Sequence, residues 1–504
     1  MQKQSSGAYA LIALVAILGA GLLLACIFYS GPYVLYDDTV YISYAHDMLG
    51  GTFMITGDIF TFSILVISLL AFSFGVFGYS MFAAILPSII EFSVLVVFAF
   101  LTGKELQGYK LAAIAALFAA TSPIAVLYAT RVLPDLLIGT LVAVAFYTLV
   151  KASKSASRKI FALSGFLIGI LPLARTDGFM LIAFYMLALL AVPSMHKAKS
   201  GLPVRLYAFV GILIALAIYL AMFFAYTGNP LYAITIFSNW QSRLSTTLAS
   251  NINVTLALLS PAWQKPQNPF LYSIGPVILF SVLGGALALR KRNGIAPLAV
   301  FSIGVFFYYL LGTSSLSSYS PIIVLSRYFA SILMPMSITA AYVVTAIYES
   351  AKRVSRPYAL LGAAALVIAA TSLYAQAYAP NYSYNAGIRN ETLLYEGILG
   401  YVNGTQKSNV TIYVIGDAPP LQAEYMNFLA GYSKRLQAVP AATDSLCTYS
   451  NDSLLAVITL GPELYVPVNL GDAYKWAGTD CGLELLRNAT LGVHNALLFK
   501  IEKG

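Results

Sequence analysis

Long apolar runs separated by short polar turns fill the first three quarters of the chain, and many are long enough to cross a bilayer. They lie at about 9–29, 80–102, 111–130, 134–150, 160–174, 178–193, 206–226, 272–289, 295–312, 328–347 and 358–378, eleven candidate spans in all. One further apolar stretch, Ile59 to Phe77, has to be placed by other means. After about Tyr378 the runs shorten and Asn and acidic residues become more frequent, so a domain boundary is expected there. Beyond it the pattern changes period. Val410–Ile415 alternates as a strand ending at Gly416-Asp417, and Leu421–Leu429 reads as a helix. Leu454–Leu460 reads as a buried strand, and Leu483–Leu486 and Ala496–Ile501 read as further strands. The expected architecture is a mainly α, polytopic membrane domain over 1–378, followed by a small α/β domain over 379–504.

Composition agrees: 59% of residues are hydrophobic and 10% charged, with mean hydropathy +0.79, which excludes an ordinary soluble domain. The net charge of +9 is not a nucleic-acid footprint, because the cations sit in short loops between apolar runs. Three cysteines have no metal spacing. Cys26 lies in the first run, while Cys447 and Cys481 share the tail and would pair only in an oxidising compartment. The first run, Tyr9 to Tyr29, is long for a signal-peptide core and reads as an uncleaved span.

Charge then sets the topology. With the amino terminus inside and 59–77 not crossing, one face collects Lys3 and the cations of loops 104–110, 151–159, 197–205, 290–292 and 352–356. The other face keeps only Arg131, Arg175, Arg243, Lys265 and Arg327. Counting 59–77 as a span would reverse this bias, so it is read as interfacial or re-entrant. The amino terminus is therefore expected in the cytoplasm and the tail outside the cell membrane. The Asn-x-Ser/Thr triplets at Asn253, Asn381, Asn390, Asn403, Asn409, Asn451 and Asn488 all fall on the outer side of that scheme.

On that outer side the charges of the membrane domain gather. Asp37 and Asp38 follow the first span in a stretch, Gly31 to Asp58, without Lys or Arg. Arg131 and Asp135 share one turn, Arg175 and Asp177 another, and Arg327-Tyr328 opens a span. Charge at a span end is costly unless it is paired or faces a wet cavity, so four such clusters on one face point to a shared site. Local pairing within each turn, or a helix-start role for the Asp pair, is the plainer explanation of any single cluster. Guanidinium groups suit a lipid phosphate leaving group, and a carboxylate suits deprotonation of an acceptor hydroxyl. Either Asp37 or Asp38 serves that role on sequence grounds. Glu91 sits within a span, the aromatic loop 227–271 carries Trp240 and Trp263, and His46, His196 and His494 read as surface residues.

These motifs resemble those of the GT-C superfamily, in particular the protein O-mannosyltransferases and the aminoarabinose transferase of lipid A. The Asp37-Asp38 pair after the first span resembles their Asp-Glu pair, with Asp38 standing where Glu is usual. The turn from Arg131 to Asp135, the sequence Arg175-Thr-Asp-Gly, and Arg327-Tyr328 followed by Pro335 resemble the family's later motifs, in the same order. The resemblance runs over about residues 1–378. It implies a GT-C fold and an inverting sugar transfer from a polyprenyl-phosphate donor, with Asp37 or Asp38 as base. Arg131, Asp135, Arg175, Asp177, Arg327 and Tyr328 would then lie around the lipid phosphate and sugar. It leaves open the use of a divalent cation such as magnesium or manganese, and whether the acceptor is a protein, glycan or lipid. Oligosaccharyltransferases carry a Trp-Trp-Asp motif, whereas Trp240, Trp263 and Trp476 here are all isolated. A transporter with an appended outer domain is the competing class, but no internal repeat is visible and the charges lie on one face rather than at mid-membrane.

Overall fold

The computed structural model describes residues 2–29, 31, 37–191, 202–243, 247–249, 252, 277–313, 321–322, 325–353, 355, 357, 359–367, 392–404, 410–416, 419–433, 436–440, 454–459, 482–491 and 494–502. The expected boundary near 378, Trp263, Lys265, Cys447 and Cys481 lie outside these residues.

The membrane domain is a helical bundle. Its helices are α1 (Gln2–Ile27), α2 (Asp37–Gly50), α3 (Ile64–Phe77), α4 (Met81–Gln107), α5 (Tyr109–Ala120), α6 (Pro123–Tyr128) and α7 (Pro134–Ser155). They continue as α8 (Arg158–Gly169), α9 (Gly178–Leu190), α10 (Leu202–Thr227), α11 (Tyr232–Arg243), α12 (Val277–Lys291), α13 (Ala296–Leu311) and α14 (Leu333–Ala351). Among the described residues, five stretches are long and apolar enough to cross a membrane on their own: 8–27, 81–107, 134–155, 203–227 and 327–351. Others are shorter than the apolar runs suggested, because prolines and polar caps break them. The run 111–130 is split at Thr121-Ser122-Pro123 into α5 and α6.

The stretch 59–77 forms a 3-10 turn, Ile59–Phe62, followed by α3, and both ends are tied to α2. Tyr41 and Ser63 hydroxyls are 3.2 Å apart at one end, and Tyr79, just beyond the other, meets His46 at 2.8 Å. Fourteen helical residues also reach only about 21 Å, short of a 30 Å hydrocarbon core. This geometry supports a segment that lies along α2 instead of crossing.

The tail forms a five-stranded mixed sheet in the order β2-β1-β3-β5-β4. Its strands are β1 (Val410–Gly416), β2 (Leu436–Pro440), β3 (Leu454–Thr459), β4 (Gly482–Leu491) and β5 (His494–Glu502). β1 is parallel to β2 and β3, while β5 runs antiparallel to β3 and β4. The helix α15 (Pro419–Leu429) bridges β1 to β2, the crossover a parallel pair requires. β2 and the helix at 392–404 were not apparent from periodicity, and β4 and β5 are longer than expected.

The tail helix docks on the end of the bundle that carries α2 and the turn between α3 and α4. Tyr432, just after α15, stacks on His46 at 3.7 Å and 5°, and Tyr79 packs edge-on against it. Phe428 meets Phe74, and Tyr425 donates to the Met81 sulfur at 3.8 Å. His46 is thus part of an aromatic joint, not a free surface group.

Candidate active site

Two adjacent carboxylates at the start of α2 have different surroundings. Asp38 is completely buried. Its oxygens accept from Arg131 Nε at 3.0 and 3.1 Å and from Arg131 Nη2, and Oδ1 also takes the Val132 amide at 2.7 Å. A bidentate guanidinium plus a backbone donor leaves that carboxylate saturated. Arg131 is held in turn: it is only 4% exposed, and its carbonyl accepts from Ser88 of α4 at 2.5 Å. Arg131, expected beside a lipid phosphate, forms a clasp joining α2 to the turn before α7.

Asp37, one residue earlier, is partly exposed and has one hydrogen-bonding partner among the described residues, Arg327 Nη2 at 2.7 Å. Successive helical residues point about 100° apart, so one Asp turns into the core and the other into a cavity. The cavity has a volume of about 190 Å³ and is lined by Asp37, Tyr41, Ser63, Asp135, Arg175, Phe237, Trp240, Arg327 and Tyr328, among others. Burial, and after it the charge of Asp37, pushes the Tyr41 phenol well above its ordinary range, so it stays protonated at working pH.

The two cavity arginines are organised by Asp135 and Asp177. Asp135, at the first turn of α7, is 1% exposed. It accepts from Arg175 Nη1 through Oδ1, while Oδ2 lies 3.7 Å from Arg327 Nε, beyond hydrogen-bond range. Asp177 receives Arg175 Nε at 2.6 Å and Nη2 at 2.7 Å, with the Tyr309 hydroxyl at 3.3 Å from Oδ2. Arg175 also lies over the Tyr328 ring at 4.2 Å, a cation–π contact. Arg131 and Asp135, four residues apart in one turn, do not pair with each other.

Close backbone packing sets this register. A Cβ on Gly139 of α7 would strike the Ala330 carbonyl in the 3-10 turn Ser326–Ile332. Only glycine lets that turn lie against α7, and the turn carries Arg327 to Asp135. Next to the small cavity, and sharing Arg175, Thr176, Phe237 and Tyr328 with it, lies a groove of about 480 Å³ whose wall is mainly apolar, including Phe179, Met180, Ile234, Tyr308 and Ile322.

Other charged groups lie apart. Glu91 is buried on α4 and lines neither cavity, and its Oε2 has no partner among the described residues. Asp58 caps the 3-10 turn, accepting from the Phe60 amide at 3.1 Å and the Tyr44 hydroxyl at 2.6 Å. Tyr41, Ser63, Phe237 and Tyr309 carried no sequence signal beyond being polar or aromatic. Among the described residues no group of three or more His, Cys, Asp or Glu side chains forms a metal-sized cluster. The two carboxylates facing the small cavity are each engaged by a guanidinium. These residues do not fit a divalent cation.

The family model described as dolichyl-phosphate-mannose-protein mannosyltransferase matches residues 63–204. No curated protein sequence matches the chain. The fold is similar to that of ArnT from Cupriavidus metallidurans, in its apo state and bound to undecaprenyl phosphate. In both cases the TM-score is 0.62 at 12% identity, over 96% of this chain and 97% of that one. An archaeal oligosaccharyltransferase, AglB from Archaeoglobus fulgidus, aligns at TM-score 0.46 and 14% identity over 88% of this chain and 69% of that one. The chain thus shares the fold of ArnT over nearly its whole length, and the mannosyltransferase family model matches a segment within its membrane domain.

Proposed function

We propose that the chain transfers a sugar from a polyprenyl-phosphate donor to an acceptor hydroxyl on the outer face of the membrane, with Asp37 as general base. The observation that carries this reading is the division of labour between the neighbouring carboxylates. Both oxygens of Asp38 are consumed by Arg131 and Val132, while Asp37 faces the cavity with a single guanidinium partner.

In the proposed step Asp37 takes the proton of the acceptor hydroxyl as its oxygen attacks the anomeric carbon from the side opposite the phosphate. The bond from that carbon to the phosphate oxygen breaks, and its electron pair leaves with the polyprenyl phosphate. Arg175 and Arg327 stabilise the charge that develops there, held ready by Asp135 and Asp177. The mainly apolar groove beside Arg175 suits the first isoprene units, and Trp240 and Phe237 offer a face to the sugar. The family description names a dolichyl-phosphate donor, and one ArnT structure holds undecaprenyl phosphate, which favours this donor class.

The amino terminus is then cytoplasmic and the tail domain outside, a reading supported by the cations that collect at the helix ends remote from Asp37. The tail, docked on α2 and the α3–α4 turn, lies where a protein, glycan or lipid acceptor would approach. The test is transfer of labelled sugar by the purified full-length protein from polyprenyl-phosphate mannose or glucose. Incorporation into an acceptor fraction is expected. Absence of transfer from every polyprenyl-phosphate donor contradicts the reading.

A further inference from the structure

At the other end of the bundle, where α4 and α7 finish, a second cavity of about 240 Å³ opens. α4 spans 27 residues, so this end lies about 40 Å along the helix from the turn that meets the tail. The floor is apolar, made by the buried Val150, Ile295 and Tyr342. The rim is basic. Lys154 and Lys291 both line it, and the one acid present, Glu105, is shared between Lys151 and Lys154 at 2.8 Å each. Lys291 has no carboxylate partner among the described residues. Two ammonium groups and one carboxylate therefore line the recess, and Lys151 neutralises that carboxylate from outside it, leaving an excess of positive charge.

We propose that this cavity binds the phosphate headgroup of an anionic phospholipid. A recessed basic pocket between membrane helices at a surface is suited to such headgroups, with each lysine contributing a modest, salt-screened attraction. The surface beside it favours a lipid over a free anion. Leu289, two residues before Lys291, is 40% exposed, and Tyr109, the first residue of α5, is 37% exposed. Acyl chains attached to a bound headgroup would cover that apolar surface, which inorganic phosphate would leave bare. None of these residues belongs to the Asp37 cavity, so the proposal stands whether or not the transfer reaction is as described.

The test uses the full-length protein in neutral detergent, mixed with phosphatidylglycerol or phosphatidylcholine, and the retained lipid is counted by native mass spectrometry. Wild type is expected to retain phosphatidylglycerol in preference. Lys154→Gln/Lys291→Gln is expected to weaken that preference by roughly 25-fold, about fivefold for each lysine. Lys352→Gln, an exposed cation outside the cavity, is expected to leave it unchanged. An undiminished preference in the double variant overturns the proposal. So does equal loss in Lys352→Gln, which would mean general surface attraction, or complete displacement of the lipid by millimolar inorganic phosphate, which would mean a free-anion site.

Discussion

Arg131 closes a fork on Asp38 from 93 residues away, with Nε at 3.0 and 3.1 Å from the two carboxylate oxygens, in a fully buried setting. Breaking such a pair from one side strands the other charge, at a cost of about 3–5 kcal/mol. Arg131→Met and Asp38→Asn should therefore both lower thermal stability and the amount of folded protein in membranes. A melting curve for each, in the same detergent, checks this; an unchanged midpoint in either would mean the clasp contributes little.

Arg175 touches both Asp135 and Asp177 and stacks over Tyr328. Lysine keeps the charge but not the planar fork. Arg175→Lys should reduce kcat/KM for the polyprenyl-phosphate donor by about 10²–10³, the scale of losing one donor to a developing anion. Steady-state kinetics with varied donor measures it, and a change confined to acceptor KM would count against the phosphate role.

Gly139→Ala tests how Arg327 reaches Asp135, because the added methyl meets the Ala330 backbone, which cannot swing aside. Overpacking of this kind costs about 1–3 kcal/mol, and transfer should fall with stability. Gly285→Ala is the control. Its nearest neighbour is the flexible end of Ile303 at 3.1 Å, so a smaller effect is expected.

How much of this was legible in sequence follows from the range of each interaction. The helical runs, the change of period near the tail, and the grouping of Asp37, Asp135, Arg175, Asp177 and Arg327 on one face all come from local pattern and charge bias. The pairing scheme does not. Arg131 sits four residues from Asp135 yet bonds Asp38, and Arg327 reaches Asp37 across 290 residues. Which partner an arginine takes depends on how helices pack, as with Gly139 against Ala330, and that packing leaves no mark in a single sequence. The roles of Asp37 and Asp38 stayed open for the same reason. His46 looked like a surface residue because its stacking partner, Tyr432, lies in another domain.

Tyr432→Ala removes the stack on His46 and the edge contact with Tyr79. Aromatic pairs of this kind contribute about 0.5–1.5 kcal/mol beyond burial. Amide exchange across 419–433 should speed up while the membrane helices keep their protection. Unchanged exchange there would mean the tail is held by other contacts.

The most direct measurement is sugar transfer from polyprenyl-phosphate mannose or glucose by Asp37→Asn, with its folding checked against wild type. Asp37 has one partner among the described residues and is partly exposed, so the variant should insert and melt much like wild type, yet lose about 10²–10⁴ in rate as its general base is removed. A folded Asp37→Asn protein that transfers sugar at the wild-type rate would contradict the assignment.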